Sequence, residues 1–74
     1  MPQFRIELDG ATSGGSPINL SFVQNFANVH EARKLAWKCV PSVAGEYVVK
    51  LFCRTQVGWT ARKGFTAVVT SEPN

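Results

Sequence analysis

The apolar residues of this chain recur with two different periods, and the order of those periods constrains the fold more than any other feature of the sequence. Residues 3–9 and 18–23 alternate apolar and polar side chains, as half-buried strands do. Residues 46–56 and 59–69 are rich in β-branched and aromatic residues, which favour strands. Between these two pairs, residues 28–40 repeat their apolar side chains at helical spacing. The sequence therefore predicts the element order β-β-α-β-β.

Signals at both ends support the helix. Asn28 is a favoured N-cap residue, and Glu31 follows three positions later, as in a capping box. Pro41 is expected to stop the helix, because proline lacks an N–H group and its ring clashes with the preceding turn. The apolar stripe that we expect to face the sheet consists of Val29, Ala32, Leu35, Ala36 and Cys39.

A chain of 74 residues forms one domain, so residues 1–74 are predicted to fold as a single unit. The predicted class is α+β, with an antiparallel sheet of about four strands and the helix packed on one face, because this arrangement buries every apolar stripe. These patterns do not fix the strand order. The Gly/Ser-rich residues 10–17 are predicted to form a flexible loop, and residues 71–74 a frayed polar tail.

The residue patterns that catalysis and metal binding need are not found in this sequence. His30 is the single histidine, and the five acidic residues are scattered without forming a recognisable catalytic pair. Gly14 and Gly15 are not followed directly by a helix, as a phosphate-binding loop would be. A chain this short also leaves little room for a deep pocket. We therefore expect no enzymatic activity, no catalytic residue, no cofactor and no metal ligand.

The two cysteines, Cys39 and Cys53, are too few for a disulfide framework, and their spacing matches no metal motif. They are interpreted as reduced, buried thiols; the alternative is a single bridge, which would indicate an oxidising compartment. No apolar run approaches the roughly 20 residues of a membrane helix, and the N-terminus lacks the features of a secretory signal. The sequence therefore predicts a cytoplasmic protein with no membrane partner. It leaves open whether the chain is a monomer or a homodimer.

The positive charge is concentrated in one part of the chain. The net charge is +3, and seven of the eight basic residues fall between Arg33 and Lys63, where Glu46 is the only acid. This asymmetry indicates an anionic partner or an acidic protein surface. The alternative is a solvated face that keeps the protein soluble.

The second pair of strands combines these cations with aromatic rings. If Val57 and Gly58 form a two-residue turn, one face of the hairpin carries Lys50, Phe52, Arg54, Trp59, Lys63 and Phe65. The opposite face, which we expect to be the core, carries Tyr47, Val49, Leu51, Cys53, Thr66 and Val68. Gly64 indicates a bulge or a close approach of backbone. Three interpretations of the first face stay open: single-stranded nucleic acid binding, a protein-binding hot spot, or lysine stems lying along rings in solvent.

A second group of candidate binding residues lies on the helix. Trp37 is off the apolar stripe and close in sequence to Arg33, Lys34 and Lys38. An exposed tryptophan among cations often marks a contact surface. The alternative is that the helix is rotated and that Trp37 covers the edge of the sheet.

Small size, basic balance and the β-β-α-β-β order make the chain similar to several phage-encoded inhibitor proteins, including anti-CRISPR proteins. That resemblance implies a stoichiometric binder that occupies a functional surface of a large nucleoprotein complex. A shorter stretch, Phe22-Val23-Gln24-Asn25-Phe26-Ala27-Asn28 followed by Glu31-Ala32 and Leu35, resembles the first strand and helix of the peptidoglycan-binding SPOR domain. The SPOR pattern usually repeats that half, whereas this chain has no second helix.

Together these features predict a non-catalytic inhibitor or adaptor that docks on a larger protein or nucleoprotein complex through a basic–aromatic surface. The main alternative is direct nucleic-acid binding through the face of the hairpin at residues 46–69. A SPOR-like peptidoglycan-binding module is a minor alternative.

Overall fold

A computed structural model describes residues 1–70 and confirms the predicted α+β fold. The chain forms five elements in the order β-β-α-β-β: β1 (Gln3–Thr12), β2 (Pro17–Asn25), α1 (Val29–Cys39), β3 (Gly45–Thr55) and β4 (Gly58–Val69). The four strands make one antiparallel sheet. Residues 71–74, for which the sequence predicts a frayed tail, lie outside the described residues. Within residues 1–70, no helix has the length and apolar character needed to cross a membrane.

The strand order is β2-β1-β3-β4, so the two strands with the most buried side chains lie at the centre of the sheet. Ile6 of β1 pairs with Leu51 of β3, and Leu8 pairs with Val49. These four side chains are almost completely buried. Every second residue of the two central strands points toward α1, so the core lies between the helix and one face of the sheet. The helix does not cover the other face. We call the uncovered side the open face.

The helix begins and ends where the sequence indicates. The Asn28 side chain accepts a hydrogen bond from the Glu31 backbone N–H at 3.0 Å, which confirms the N-cap. The helix ends at Cys39, two residues before Pro41. Ala32 and Ala36 are fully buried, and their small side chains let the helix approach the sheet closely. The rest of the predicted stripe is partly buried against the same core.

The connection between β1 and β2 is shorter than the sequence indicates. Residues 10–12 and 17 belong to strands, so the predicted loop over residues 10–17 is reduced to residues 13–16. Thr12 and Ser16 close this turn through a backbone hydrogen bond of 2.9 Å, and Gly15 supplies a φ of 89°. Gly10 can lie in the strand because it pairs with Tyr47, whose ring occupies the space that a side chain at position 10 would take.

The register of the second hairpin also differs from the predicted one. Thr55 pairs with Gly58 and Arg54 with Trp59, so Gln56 and Val57 form the turn instead of Val57 and Gly58. Gly58 has a φ of 122°, and this conformation explains why glycine stands there. The shift is by two residues, and it therefore leaves Arg54 and Trp59 on the same face.

A β-bulge changes the face of β4 halfway along the strand. Leu51 pairs with Arg62, but Val49 pairs with Phe65, so Lys50 faces two residues of β4. A Cβ on Gly64 would overlap the Val49 carbonyl oxygen, which shows that this position is both a bulge and a close backbone approach.

Because of the bulge, three residues lie on the opposite face of the sheet from the predicted one. Phe65 pairs with Val49 and lies on the helix side, not beside Lys50 on the open face. Thr66 and Val68 lie on the open face, not in the core, and Ala67 is buried in their place.

Candidate functional site

The structure divides the predicted binding residues between two opposite surfaces. Lys50, Phe52, Arg54 and Trp59 share the open face; with Arg5 of β1 we call them the open-face cluster. The other surface surrounds α1 and the neighbouring edge of β4. We call it the helix-side patch, and it consists of Arg33, Lys34, Trp37, Lys38, Arg62 and Phe65. Lys63 lies at the bulge between the two surfaces.

Trp37 is the centre of the helix-side patch. Its indole stacks on the Phe65 ring with centroids 4.0 Å apart and planes only 8° from parallel. The side chain is nevertheless 51% exposed, because the ring face opposite Phe65 meets solvent. Trp37 therefore lies against β4, the edge strand of the sheet, although the helix is not rotated, because Ala32 and Ala36 of the predicted stripe are buried. The stack also holds a large flat ring in a fixed orientation at the surface.

Four cations lie on the same side of the sheet as this stacked pair. Arg33 and Lys34 precede Trp37 by four and three residues, a spacing that makes them its neighbours on the helix surface. The Arg33 guanidinium donates a hydrogen bond of 2.8 Å to the Lys63 carbonyl oxygen and so ties the helix to the bulge. Arg62 is exposed on the helix side of β4, and the exposed Lys38 lies in the last helical turn.

Among residues 1–70, one acidic side chain contacts a cation of this patch. Glu31 lies 3.7 Å from the Lys34 ammonium, and both side chains are about half exposed. Exposed ion pairs of this kind contribute little, with a median of about 0–1 kcal/mol. The helix-side patch therefore keeps a positive surface around Trp37.

The open-face cluster has a different character, because its rings already have cationic partners. The Arg5 guanidinium lies 4.9 Å from the centroid of the Phe52 ring and 5.5 Å from that of Trp59. Arg54 lies 5.7 Å from the Trp59 ring. Arg5 also pairs with Glu7 at 2.9 Å. A base stacking on these half-buried rings would compete with Arg5, so this cluster is poorly suited to serve as a stacking platform.

Arg5 was not among the residues that the sequence analysis selected. It lies on the first strand, and it contacts Phe52 because β1 pairs with β3, with Arg5 directly opposite Phe52. The alternation of residues 3–9 places Arg5 on the polar face of its strand, but only the strand order reveals its aromatic neighbours.

Two open grooves of about 460 Å³ each lie along the sheet. One follows the bulge, lined by residues 48–52, Ala61, Arg62 and residues 64–66. The other lies at the far end of the sheet, between residues 11–13, 44–46 and 68–70. In the described part of the chain, no three His, Cys, Asp or Glu side chains converge as metal ligands would. Cys39 and Cys53 are separate, partly buried thiols.

Comparison of the chain with protein-family models, with curated proteins and with solved structures finds no match. Its function must therefore be inferred from its surfaces.

Proposed function

We propose that the chain is a non-catalytic binding protein that docks through its helix-side patch on an acidic surface of a larger cytoplasmic protein or nucleoprotein complex. It would act there as a stoichiometric inhibitor or adaptor, as anti-CRISPR proteins do. The observation that carries the proposal is Trp37, a half-exposed ring held flat on Phe65, with Arg33 and Lys34 as its neighbours on the helix.

The exposed half of Trp37 is sufficient to dominate an interface. A tryptophan buries about 150–250 Å² when fully covered, so covering its exposed half removes roughly 100 Å² from water and contributes about 2.5 kcal/mol. Tryptophan and arginine are also the residue types most enriched in binding hot spots. Because Phe65 already fixes the ring, little side-chain entropy is lost when a partner binds it.

The cations around Trp37 favour an acidic partner over an apolar one. Arg33, Lys38 and Arg62 provide charge that no acidic side chain of the described residues 1–70 pairs within 4 Å. Complementary charge of this kind accelerates association and selects the partner. The same arrangement suits single-stranded nucleic acid as a second candidate, since the free face of Trp37 is available for stacking.

The first prediction concerns Trp37→Ala, which we expect to weaken partner binding by roughly 50-fold, given about 1.4 kcal/mol per tenfold change in affinity. The fold should lose the stacking contact with Phe65, worth about 1 kcal/mol beyond area burial, and the apolar area that the ring already covers, so circular dichroism must show that the variant is folded. The measurement is capture of partners from lysate of the cells that express the chain, followed by titration of the purified partner. Unchanged affinity in the variant would contradict the proposal.

Two double variants with the same net charge distinguish an effect of the helix-side patch from an effect of overall charge. Lys34→Gln with Lys38→Gln lowers the net charge from +3 to +1, and so does Gln24→Glu with Gln56→Glu, which lie at exposed positions outside the patch. We expect the first pair to lose the partner and the second pair to retain it. Equal losses would mean that overall charge, and not the patch, holds the partner.

Nuclease treatment and salt then separate the two candidate partners. A complex that survives nuclease supports docking on protein. Retention that disappears with nuclease, together with affinity that falls steeply with salt, supports the nucleic-acid alternative.

A further inference from the structure

The open face is uncovered in the described residues 1–70, although it carries a substantial apolar surface. Val23, Val48 and Val68 are 48%, 40% and 67% exposed there, beside the half-buried rings of Phe52 and Trp59. In a chain of 74 residues with a thin core, a partner on this face would enlarge the apolar area that the fold buries.

The charges of the open face change sign along the strands. Arg54 and Arg5 lie toward the end with the β3–β4 turn, and Asp9 and Glu46 lie toward the opposite end. Residues that pair side by side across the strands form a row. Glu7 pairs with Lys50 across the central strands, and this pair lies in the middle row of the face. One half of the face is therefore basic and aromatic, and the other half is acidic and carries Val48 and Val68.

We propose that the open face binds the open face of a second copy of the chain, forming a two-fold symmetric dimer. The symmetry axis lies in the plane of the sheet, runs across the strands and passes through the row of Glu7 and Lys50. An interface with this symmetry uses the same surface on both copies, so it must be complementary to itself.

The strand register makes the open face complementary in this arrangement. Rows equally distant from the middle row meet each other, and each strand lies over its own copy. Arg54 then meets Glu46 of the second copy, and Arg5 meets Asp9. On the axis, Glu7 and Lys50 each lie opposite their own copies, and the diagonal Glu7–Lys50 attraction between the copies offsets this repulsion. The apolar side chains occupy matching positions as well, because Trp59 lies opposite Val68 and Phe52 opposite Val48. Arg5, which lies over both rings within one copy, turns toward Asp9 of the second copy in this arrangement.

A two-fold axis along the strands would place Glu7 opposite Lys50 in the middle row but would gather like charges at both ends. Arg5 and Arg54 of both copies would then gather at one end, and Asp9 and Glu46 of both copies at the other. Juxtaposed like charges disfavour an arrangement strongly, so the charge pattern selects the axis across the strands.

The area is adequate for a specific dimer. Five rows across four strands cover roughly 600 Å² in projection, with strands ~4.8 Å apart and same-face residues ~6.6 Å apart along a strand. A standard interface buries about 800 Å² of accessible surface per partner. The accessible surface of a side-chain layer is larger than the flat area that it covers, so the open face is about the size of a standard interface. Packed sheets would lie in the middle and the helices outside, so both helix-side patches stay free. The dimer therefore goes beyond the proposed function and does not depend on it.

The test is a charge swap measured by sedimentation equilibrium over a concentration series. Arg54→Glu and Glu46→Arg should each weaken the dimer by at least about tenfold, and the double variant should restore it. Arg54 and Glu46 lie eight residues apart on β3, about 26 Å, and cannot contact each other within one copy. Rescue by the double variant can therefore arise only between copies.

Controls make each outcome decisive. Both positions are exposed, and thermal unfolding followed by circular dichroism checks that every variant folds. Lys34→Gln with Lys38→Gln should dimerise like the original chain, which separates this proposal from the helix-side patch. A wild-type chain that stays monomeric at every concentration overturns the proposal. So does a dimer that neither single variant weakens, or one that the double variant does not restore.

Discussion

Replacement of Tyr47 by alanine is expected to lower the free energy of unfolding by about 4 kcal/mol, the largest single effect that we predict. Tyr47 is fully buried on the central strand β3. Its ring lies against Gly10 and Gly45, where an added Cβ would come within 2.7 Å of the Tyr47 Cδ1 and Oη atoms, respectively. Its hydroxyl donates a hydrogen bond of 2.7 Å to the Val43 carbonyl oxygen. Alanine would leave a cavity that the two glycines cannot fill.

Tyr47→Phe is the matched control, and chemical denaturation is the measurement. Phenylalanine keeps the ring and loses one hydrogen bond, so it should cost only about 1 kcal/mol. For a chain of this size the total stability is on the order of 4–11 kcal/mol. The alanine variant should therefore keep no more than about 7 kcal/mol, and it would be largely unfolded if the total lies at the lower end of that range. Equal stabilities for the two variants would contradict this prediction, because they would mean that packing of the Tyr47 ring does not stabilise the β1–β3 pair.

Gly64→Ala is expected to destabilise the fold by about 3 kcal/mol, at the upper end of the usual range for overpacking. The added Cβ would overlap the Val49 carbonyl oxygen and would lie 3.1 Å from the Val49 carbonyl carbon and 3.3 Å from the Lys50 Cα. These are backbone atoms of a central strand and cannot swing aside. The bulge would have to open or move, and the stack of Phe65 on Trp37 would be disturbed with it.

Gly14→Ala is the control for this second prediction. Its nearest neighbour would be the Thr12 hydroxyl at 3.8 Å, an ordinary contact, and Gly14 does not have a positive φ. Alanine there should leave stability unchanged or raise it by a few tenths of a kcal/mol. Denaturation curves followed by tryptophan fluorescence would compare the two. A Gly64→Ala chain as stable as the Gly14→Ala chain would contradict the close packing of the bulge.

Much of the fold could be predicted from the sequence, because it follows from local patterns. The alternation of residues 3–9 and the Asn28 cap each depend on residues close together in the chain, and both appear in the structure. The strand order could not be predicted, since it depends on contacts between β1 and β3 that are distant in sequence. The extension of β1 through Gly10 was missed for a related reason, because the ring that fills the space beside it comes from Tyr47.

The candidate site was only partly predictable, and the bulge explains the difference. The shift of the turn by two residues changed partners but kept Arg54 and Trp59 on one face. The bulge shifted the register by one residue, and a shift by one moves every following side chain to the other face. Gly64 was the available signal, yet a glycine alone does not tell how far the register moves. The predicted hairpin face is therefore divided: Arg54 and Trp59 stay on the open face, and Phe65 lies beside Trp37 of the helix.

The central claim is that β4 changes face at the bulge, because both the helix-side patch and the open-face dimer depend on it. The most direct test is a nuclear Overhauser measurement on the Phe65 ring protons in solution. We predict strong cross-peaks from Phe65 to the Trp37 indole, together with cross-peaks from the Trp59 indole to the Arg5 side chain. Cross-peaks from Phe65 to the side chain of Lys50, with none to Trp37, would contradict the account and return Phe65 to the open face.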